Sequence, residues 1–278
     1  MALYDCRDMD LGTAYSWTAM TKRGAETMGD IVVPPGVTRI REIWVSISSS
    51  VWTDTKGAII AGKLKGAGLP GMDYEFICGG LTVGAVTTEG AQHRNMRSRI
   101  IQTSLKVKPG SAITVMGSQI TDSDMGTPHL TIGLVFDNGG GSVRHSYLRF
   151  GIMGSVTTKY PLTLDAVGST VNTIPLPGDA KRITMIITSV GGVTLATATG
   201  GVALTRLEGG GLEEAQCLVS GAHAALNTTA GVNSGIFQVD PVYVDMPVKG
   251  GSQLSISGEQ LGTDWGTPQM ATSIEVET

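Results

Sequence analysis

Val107-Lys108-Pro109-Gly110-Ser111 returns later in the chain as Val248-Lys249-Gly250-Gly251-Ser252, an offset of 141 in numbering. Downstream of this pair, Gly117 and Gln119 match Gly258 and Gln260 at the same offset, and Gly126-Thr127-Pro128 recurs as Gly266-Thr267-Pro268 at 140. Upstream, Leu64, Gly66, Gly68 and Leu69 match Leu207, Gly209, Gly211 and Leu212 at 143. Arg39-Ile40 matches Arg182-Ile183 at 143, and Pro35-Gly36 matches Pro177-Gly178 at 142. A single such match is expected by chance in a chain with 39 glycines. A collinear series whose offset drifts only between 140 and 143 reads as a duplicated unit with small loop insertions. Most matched positions are Gly and Pro, the residues that punctuate turns, so the two copies are expected to share one strand order.

The periodicity between those turns is that of strands. Ile43, Val45 and Ile47 alternate with polar neighbours, with Trp44 out of step; Leu130, Ile132, Leu134 and Phe136 alternate more cleanly. Ser273-Ile274-Glu275-Val276-Glu277 repeats that pattern at the end of the second copy. Ala112–Val115 and Gln253–Ile256 are matched strands after a shared Gly-Ser turn, and further strands are expected over 57–64, 73–78, 81–86 and 98–107. The best helical candidate, Leu212-Glu213-Glu214-Ala215-Gln216, is short and preceded by three glycines. An α/β fold has no room for its helices here. The expectation is all-β: two tandem β-sandwich (jelly-roll) domains related by internal duplication. Immunoglobulin-like packing is the alternative, without the Cys-Trp-Cys spacing that would support it. The domains are placed at 31–137 and 173–278. Residues 1–30 are expected as an extended N-terminal arm packing beneath or between neighbours, and 138–172 as linker and lead-in strand.

Composition narrows the function classes. Charged residues make up 16% of the chain, well below the roughly 25% of an average domain, which predicts a surface partly covered by neighbouring subunits. Three cysteines (Cys6, Cys78, Cys217) are too few and too scattered for a disulfide framework or zinc knuckle. No apolar run is long enough to span a membrane, and the N-terminus lacks the apolar stretch of an export signal, so synthesis and folding in a cytoplasm are expected. The net charge of −4 argues against a dedicated nucleic-acid binder. Residues 31–137 carry 10 Lys/Arg and 8 Asp/Glu (+2), whereas 173–278 carry 4 and 10 (−6), an asymmetry that favours head-to-tail contact between subunits.

No motif carries catalysis. Gly66-Ala67-Gly68-Leu69-Pro70-Gly71 fits the dinucleotide pattern, but that chemistry needs a helix after the glycines, and Met72-Asp73-Tyr74-Glu75-Phe76 reads as another strand. Asp122, Asp124 and Asp264 are the weak candidates for metal ligation, in loops where acidic residues more often cap backbone amides. His93-Arg94-Asn95-Met96-Arg97-Ser98-Arg99 is the one dense basic stretch. Arg94, Arg97 and Arg99 are its candidate contacts to a partner or to nucleic acid, against the plainer reading of a solvated strand end. The four histidines never approach metal-ligand spacing, and no nucleophile elbow frames any serine. The chain is therefore read as a non-enzyme without a cofactor.

In organisation, the duplicated sandwich with Gly/Pro-rich turns, low charge and no active site resembles the double jelly-roll major capsid proteins of icosahedral DNA viruses. The resemblance covers nearly the whole chain, is architectural, and rests on no diagnostic motif. It implies a structural protein of the virion that self-assembles, three subunits giving six jelly rolls and a pseudo-hexagonal outline. Its other partners would be minor capsid proteins and, weakly, the genome. A non-viral tubule, sheath or surface-layer subunit is the leading alternative. A carbohydrate-binding module ranks below it, because only 14 aromatic residues are available for sugar platforms.

Overall fold

A computed structural model describes residues 3–10, 16–22, 29–52, 58–81, 99–120, 126–152, 159–161, 173–191, 201–212, 217–224, 235–236, 241–262 and 269–278. These residues are strands joined by turns, with no helix among them. The first half contributes β1 (Leu3–Asp10), β2 (Thr18–Ala19), β3 (Thr21–Lys22), β4 (Ile31–Val32), β5 (Arg39–Trp52), β6 (Ala58–Lys65), β7 (Tyr74–Leu81), β8 (Arg99–Lys106), β9 (Ala112–Ile120) and β10 (Gly126–Asp137). The second contributes β11 (Arg144–Ile152), β12 (Lys159–Pro161), β13 (Thr173–Pro175), β14 (Arg182–Gly191), β15 (Gly201–Gly209), β16 (Cys217–Ala224), β17 (Gly235–Ile236), β18 (Val242–Pro247), β19 (Gln253–Gly262) and β20 (Gln269–Glu277).

The pairing is nested. In the first half β1 pairs with β10, the short β2 and β4 with β9, β5 with β8, and β6 with β7. In the second, β11 pairs with β20, β12 and β13 with β19, β14 with β18, and β15 with β16. First-with-last, inward to the central hairpin, this winding is consistent with jelly-roll sandwiches. The two halves also share irregularities. The β5–β8 and β14–β18 ladders slip between Ile40/Glu42 and Ile183/Met185, and the central hairpins slip between Ile60/Ala61 and Ala203/Leu204, each pair at the same offset of 143. A bulge resets which side chains face inward. Ile40 and Ile43 are therefore both buried although three apart, and Trp44 faces outward.

The Gly/Pro repeats close turns at one end of each half. Val37 N–H donates to Pro34 O and Ala180 N–H to Pro177 O; Leu69 N–H donates to Gly66 O and Leu212 N–H to Gly209 O; Ser111 N–H donates to Lys108 O and Ser252 N–H to Lys249 O. Gly66 and Gly209 have φ of +119° and +78°, and a Cβ on either would stand within 3 Å of a backbone oxygen, Ala112 O or Gln253 O. That is why glycine occupies both positions. The segment 66–71 is thus a turn between β6 and β7, not a phosphate loop.

The pairing moves the expected boundaries. Residues 3–10, expected within an extended arm packing beneath or between neighbours, run along β10 for the whole of β1, from Leu3↔Phe136 to Asp10↔His129. The physical reason is Arg7, 3% exposed, whose guanidinium donates to the carbonyls of Gly29 and Asp30 (2.8 Å to the latter) and to the Asp5 carboxylate (2.9 Å). A buried arginine with satisfied donors lets a charged-looking segment enter a sheet. Residues 144–152, within the stretch expected as linker and lead-in strand, form the matching first strand of the second half. There Arg149, 4% exposed, donates to Leu148 O (2.9 Å) and Thr173 O (3.0 Å). Of the other expected strands, 82–86, and of the helical candidate, 213–216, lie outside the described residues.

Among the described residues the second core is smaller, and it contains a polar knot. The hydroxyls of Thr188, Thr205 and Thr272 meet at 2.7, 2.7 and 3.3 Å, all buried among β14, β15 and β20. Thr205→Val is expected to cost about 1–3 kcal/mol in urea unfolding, because it removes the closer partner of two buried hydroxyls and leaves Thr188 and Thr272 only their 3.3 Å contact. The triple Thr→Val variant is expected to recover most of that loss, since it removes all three polar groups together.

Candidate functional site at the seam between the two halves

The halves share a sheet. β7 and β11 meet as parallel neighbours at Tyr74↔Ser146, which joins β6, β7 and β9 to β11, β20, β14 and β18. The sheet of β11, β20 and β14 consequently has two buried faces. One packs on the second core through Met270, Ile274 and Val276. The other sends Leu148, Phe150, Met185, Ile187 and Ala271 into the core of the first half.

At the centre of this seam stands Glu275, 1% exposed. Its Oε2 accepts from the Tyr74 hydroxyl and from Thr103 Oγ1 (2.7 Å), both in the first half. Its Oε1 accepts from the Arg144 guanidinium and from Thr184 Oγ1 (2.6 Å), both in the second. Arg144 also contacts Ser142 Oγ (3.1 Å) and Glu277 (3.4 Å), and Arg182 bridges Glu277 (3.2 Å) and Asp245 (3.1 Å). Burial, reinforced by the charge of Glu275, holds the Tyr74 phenol well above its ordinary pKa, so it serves as a donor. A carboxylate out of water is tolerated only when its lone pairs are taken and a cation is adjacent, and here both oxygens have two donors. Glu275 is a polar member of the alternation over residues 273–277. It is buried because β20 is covered on both faces.

Peripheral contacts complete the seam. Ser146 Oγ donates to Glu75 O, and Gln102 N–H donates to the Tyr243 hydroxyl (2.7 Å), linking β8 to β18. His145 stacks on Tyr147 with ring centroids 6.4 Å apart and packs against the Gly71 turn of the first half. Burial lowers its pKa below 6.5, opposed by Asp179. The unfolded chain then takes up this proton at higher pH than the folded one. His145 is therefore expected to draw stability down as pH falls through about 6.5 toward its folded value. Urea midpoints across that window, compared with those of His145→Gln, measure the difference; identical slopes would remove the assignment.

Of the residues singled out in the sequence, Arg99 opens β8 opposite Val45, and its charge reaches Cys78 and Tyr243. Arg94, Arg97, Asp122, Asp124 and Asp264 lie outside the described residues. Among the described residues no three His, Cys, Asp or Glu side chains gather as a metal site. Tyr74, Thr103, Arg144, Thr184 and Glu275 were not legible as a set. The one available signal was a break in the repeat, because pairing puts Val135 where the second half has Glu275.

No known family model matches the sequence, and no curated protein matches it. Among solved structures, the chain is similar to the major capsid protein P2 of Bacteriophage PM2, at 10% identity and a TM-score of 0.42, covering 100% of this chain and 98% of that one. It is similar to PNGF-II at 11% identity and a TM-score of 0.49, covering 99% and 65%. A structure of infectious bursal disease virus, Gx strain, aligns at 10% identity and a TM-score of 0.26, covering 100% and 72%.

Proposed function

We propose that the chain is a shell-forming protein of an icosahedral virus, a double jelly-roll major capsid protein that assembles as pseudo-hexameric trimers. The observation that carries this reading is the same nested winding in both halves, bulges and turns included, locked together by a buried seam. Two sandwiches held in one orientation let a three-subunit ring occupy a six-fold lattice position while the halves diverge separately. The opposite net charges of the halves fit head-to-tail association. On this reading the protein resides in the virion after synthesis in a host cytoplasm and acts without catalysis or cofactor. Its partners are itself, minor capsid proteins and, through Arg94, Arg97 and Arg99, the genome.

The test is electron microscopy of the purified protein over a concentration and salt series, with the mass of the smallest oligomer from sedimentation. Trimers with a hexagonal outline, or closed shells, are the expected result. Open tubes would replace the capsid by a sheath subunit. A monomer under every condition would overturn assembly altogether and direct attention to a glycan screen.

A further inference from the structure

The seam inside one chain uses an edge of the first half (β7) and the first strand of the second (β11), and it leaves the counterparts of both unused. Register identifies those counterparts. Leu64 pairs with Tyr74 and Leu207 with Cys217, so Cys217 on β16 holds the place of Tyr74. Val135 pairs with Tyr4 and Glu275 with Ser146, so Tyr4 on β1 holds the place of Ser146. Among the described residues, β16 is covered on its outer edge only at His223 and Ala224 by β17, and β1 only at Arg7 and Asp8 by β3. Among the described residues, then, no strand pairs with the outer edge at Cys217 or at Tyr4, the kind of edge that natural sheets cover.

A second observation points the same way. Ile187 and Trp44 are equivalent, related by the offset of 143 and paired with Ser273 and Gly133 respectively. Ile187 is 0% exposed in the seam, whereas Trp44 on the corresponding outer face of β5 is 43% exposed, with Ile100 beside it on β8 at 46%. A tryptophan 43% exposed where its equivalent is fully packed presents apolar surface that a neighbouring subunit can cover.

Resting on the assembly reading above, we propose that the intrachain seam is repeated between chains: β16 of one copy lies parallel to β1 of the next, Cys217 opposite Tyr4, and the neighbour's second half covers Trp44 and Ile100. The contact is heterologous, so it propagates in one direction and closes only as a ring. It sets the −6 half of one copy against the +2 half of the next, counting Lys/Arg against Asp/Glu over 173–278 and 31–137.

The experiment is oxidative cross-linking of the full chain carrying Tyr4→Cys with Cys6→Ser, using the native Cys217. Neighbouring parallel strands bring directly opposed Cα atoms within disulfide range. Cys78 does not compete, because it is buried and its thiol is pushed far above its ordinary pKa. The expected result is a non-reducing ladder that ends at covalent trimer and collapses with reductant, and no ladder from Asp8→Cys with Cys6→Ser, four positions out of register. Trp44→Glu, an exposed change that leaves the fold intact by circular dichroism, is expected to raise the concentration needed for oligomers by about 30-fold, the scale of an interface hot spot. Oligomers that form without the cross-link and ignore Trp44→Glu would overturn this contact and leave the capsid reading standing. A chain that stays monomeric would overturn both, and a ladder running past trimer would keep the contact but end the trimer.

Discussion

Glu275→Ala is expected to lower the free energy of unfolding by about 3–5 kcal/mol, the range for removing one partner of a buried ion pair. The loss exceeds that of a surface ion pair because Arg144 is left largely buried without its main counter-charge, and Tyr74, Thr103 and Thr184 lose their acceptor together. Urea unfolding read by tryptophan fluorescence gives the number. The first half shows how the same position works without charge, since Val135 stands at the place of Glu275. Glu275→Val combined with Arg144→Ala is therefore expected to recover a large part of the loss, as a well-packed apolar replacement often does. If the double variant is no better than Glu275→Ala, the seam depends on packing that the carboxylate merely accompanies.

Arg7→Met is expected to destabilise by about 2–4 kcal/mol and to loosen 29–32 first. Hydrogen bonds to a charged group are worth about 1.5–3 kcal/mol each, and Arg7 supplies them to two carbonyls 22 and 23 residues away. Methionine keeps the apolar stem and removes only the donors. Hydrogen exchange reads the local effect, with faster exchange at Ile31 and Val33 than in β10 as the expected pattern. Arg149→Met should reproduce this in the second half, speeding exchange at Ile174, because Arg149 holds Thr173 O in the equivalent way. Uniform acceleration across all strands would mean that Arg7 supports the whole sandwich rather than the 29–32 segment.

These two arginines mark where reading the sequence succeeded and where it stopped. Gly66, Gly110, Gly209 and Gly251 were legible because a turn that needs positive φ selects glycine whatever surrounds it. The alternation in 130–136 was legible because one sheet face meets a core. Arg7 and Arg149 share the repeat offset of 142, but a buried arginine reads as a surface residue until its partner carbonyls are known. The first strand of each half was therefore placed outside the repeated domains, in the arm and in the linker and lead-in strand.

What the sequence determined by itself is local and periodic: an all-β chain, its turns, and an offset of 140 to 143 between matched positions. Those follow from backbone dihedral limits and from the alternation of side chains along a strand, which act residue by residue. What only the tertiary structure decided is which faces are covered twice. Glu275 and Ile187 are buried because a second sheet face lands on them, and Trp44, in the same place of the winding as Ile187, is 43% exposed because among the described residues no such face covers it. Burial is a property of neighbours distant in the chain, and no window of sequence contains them.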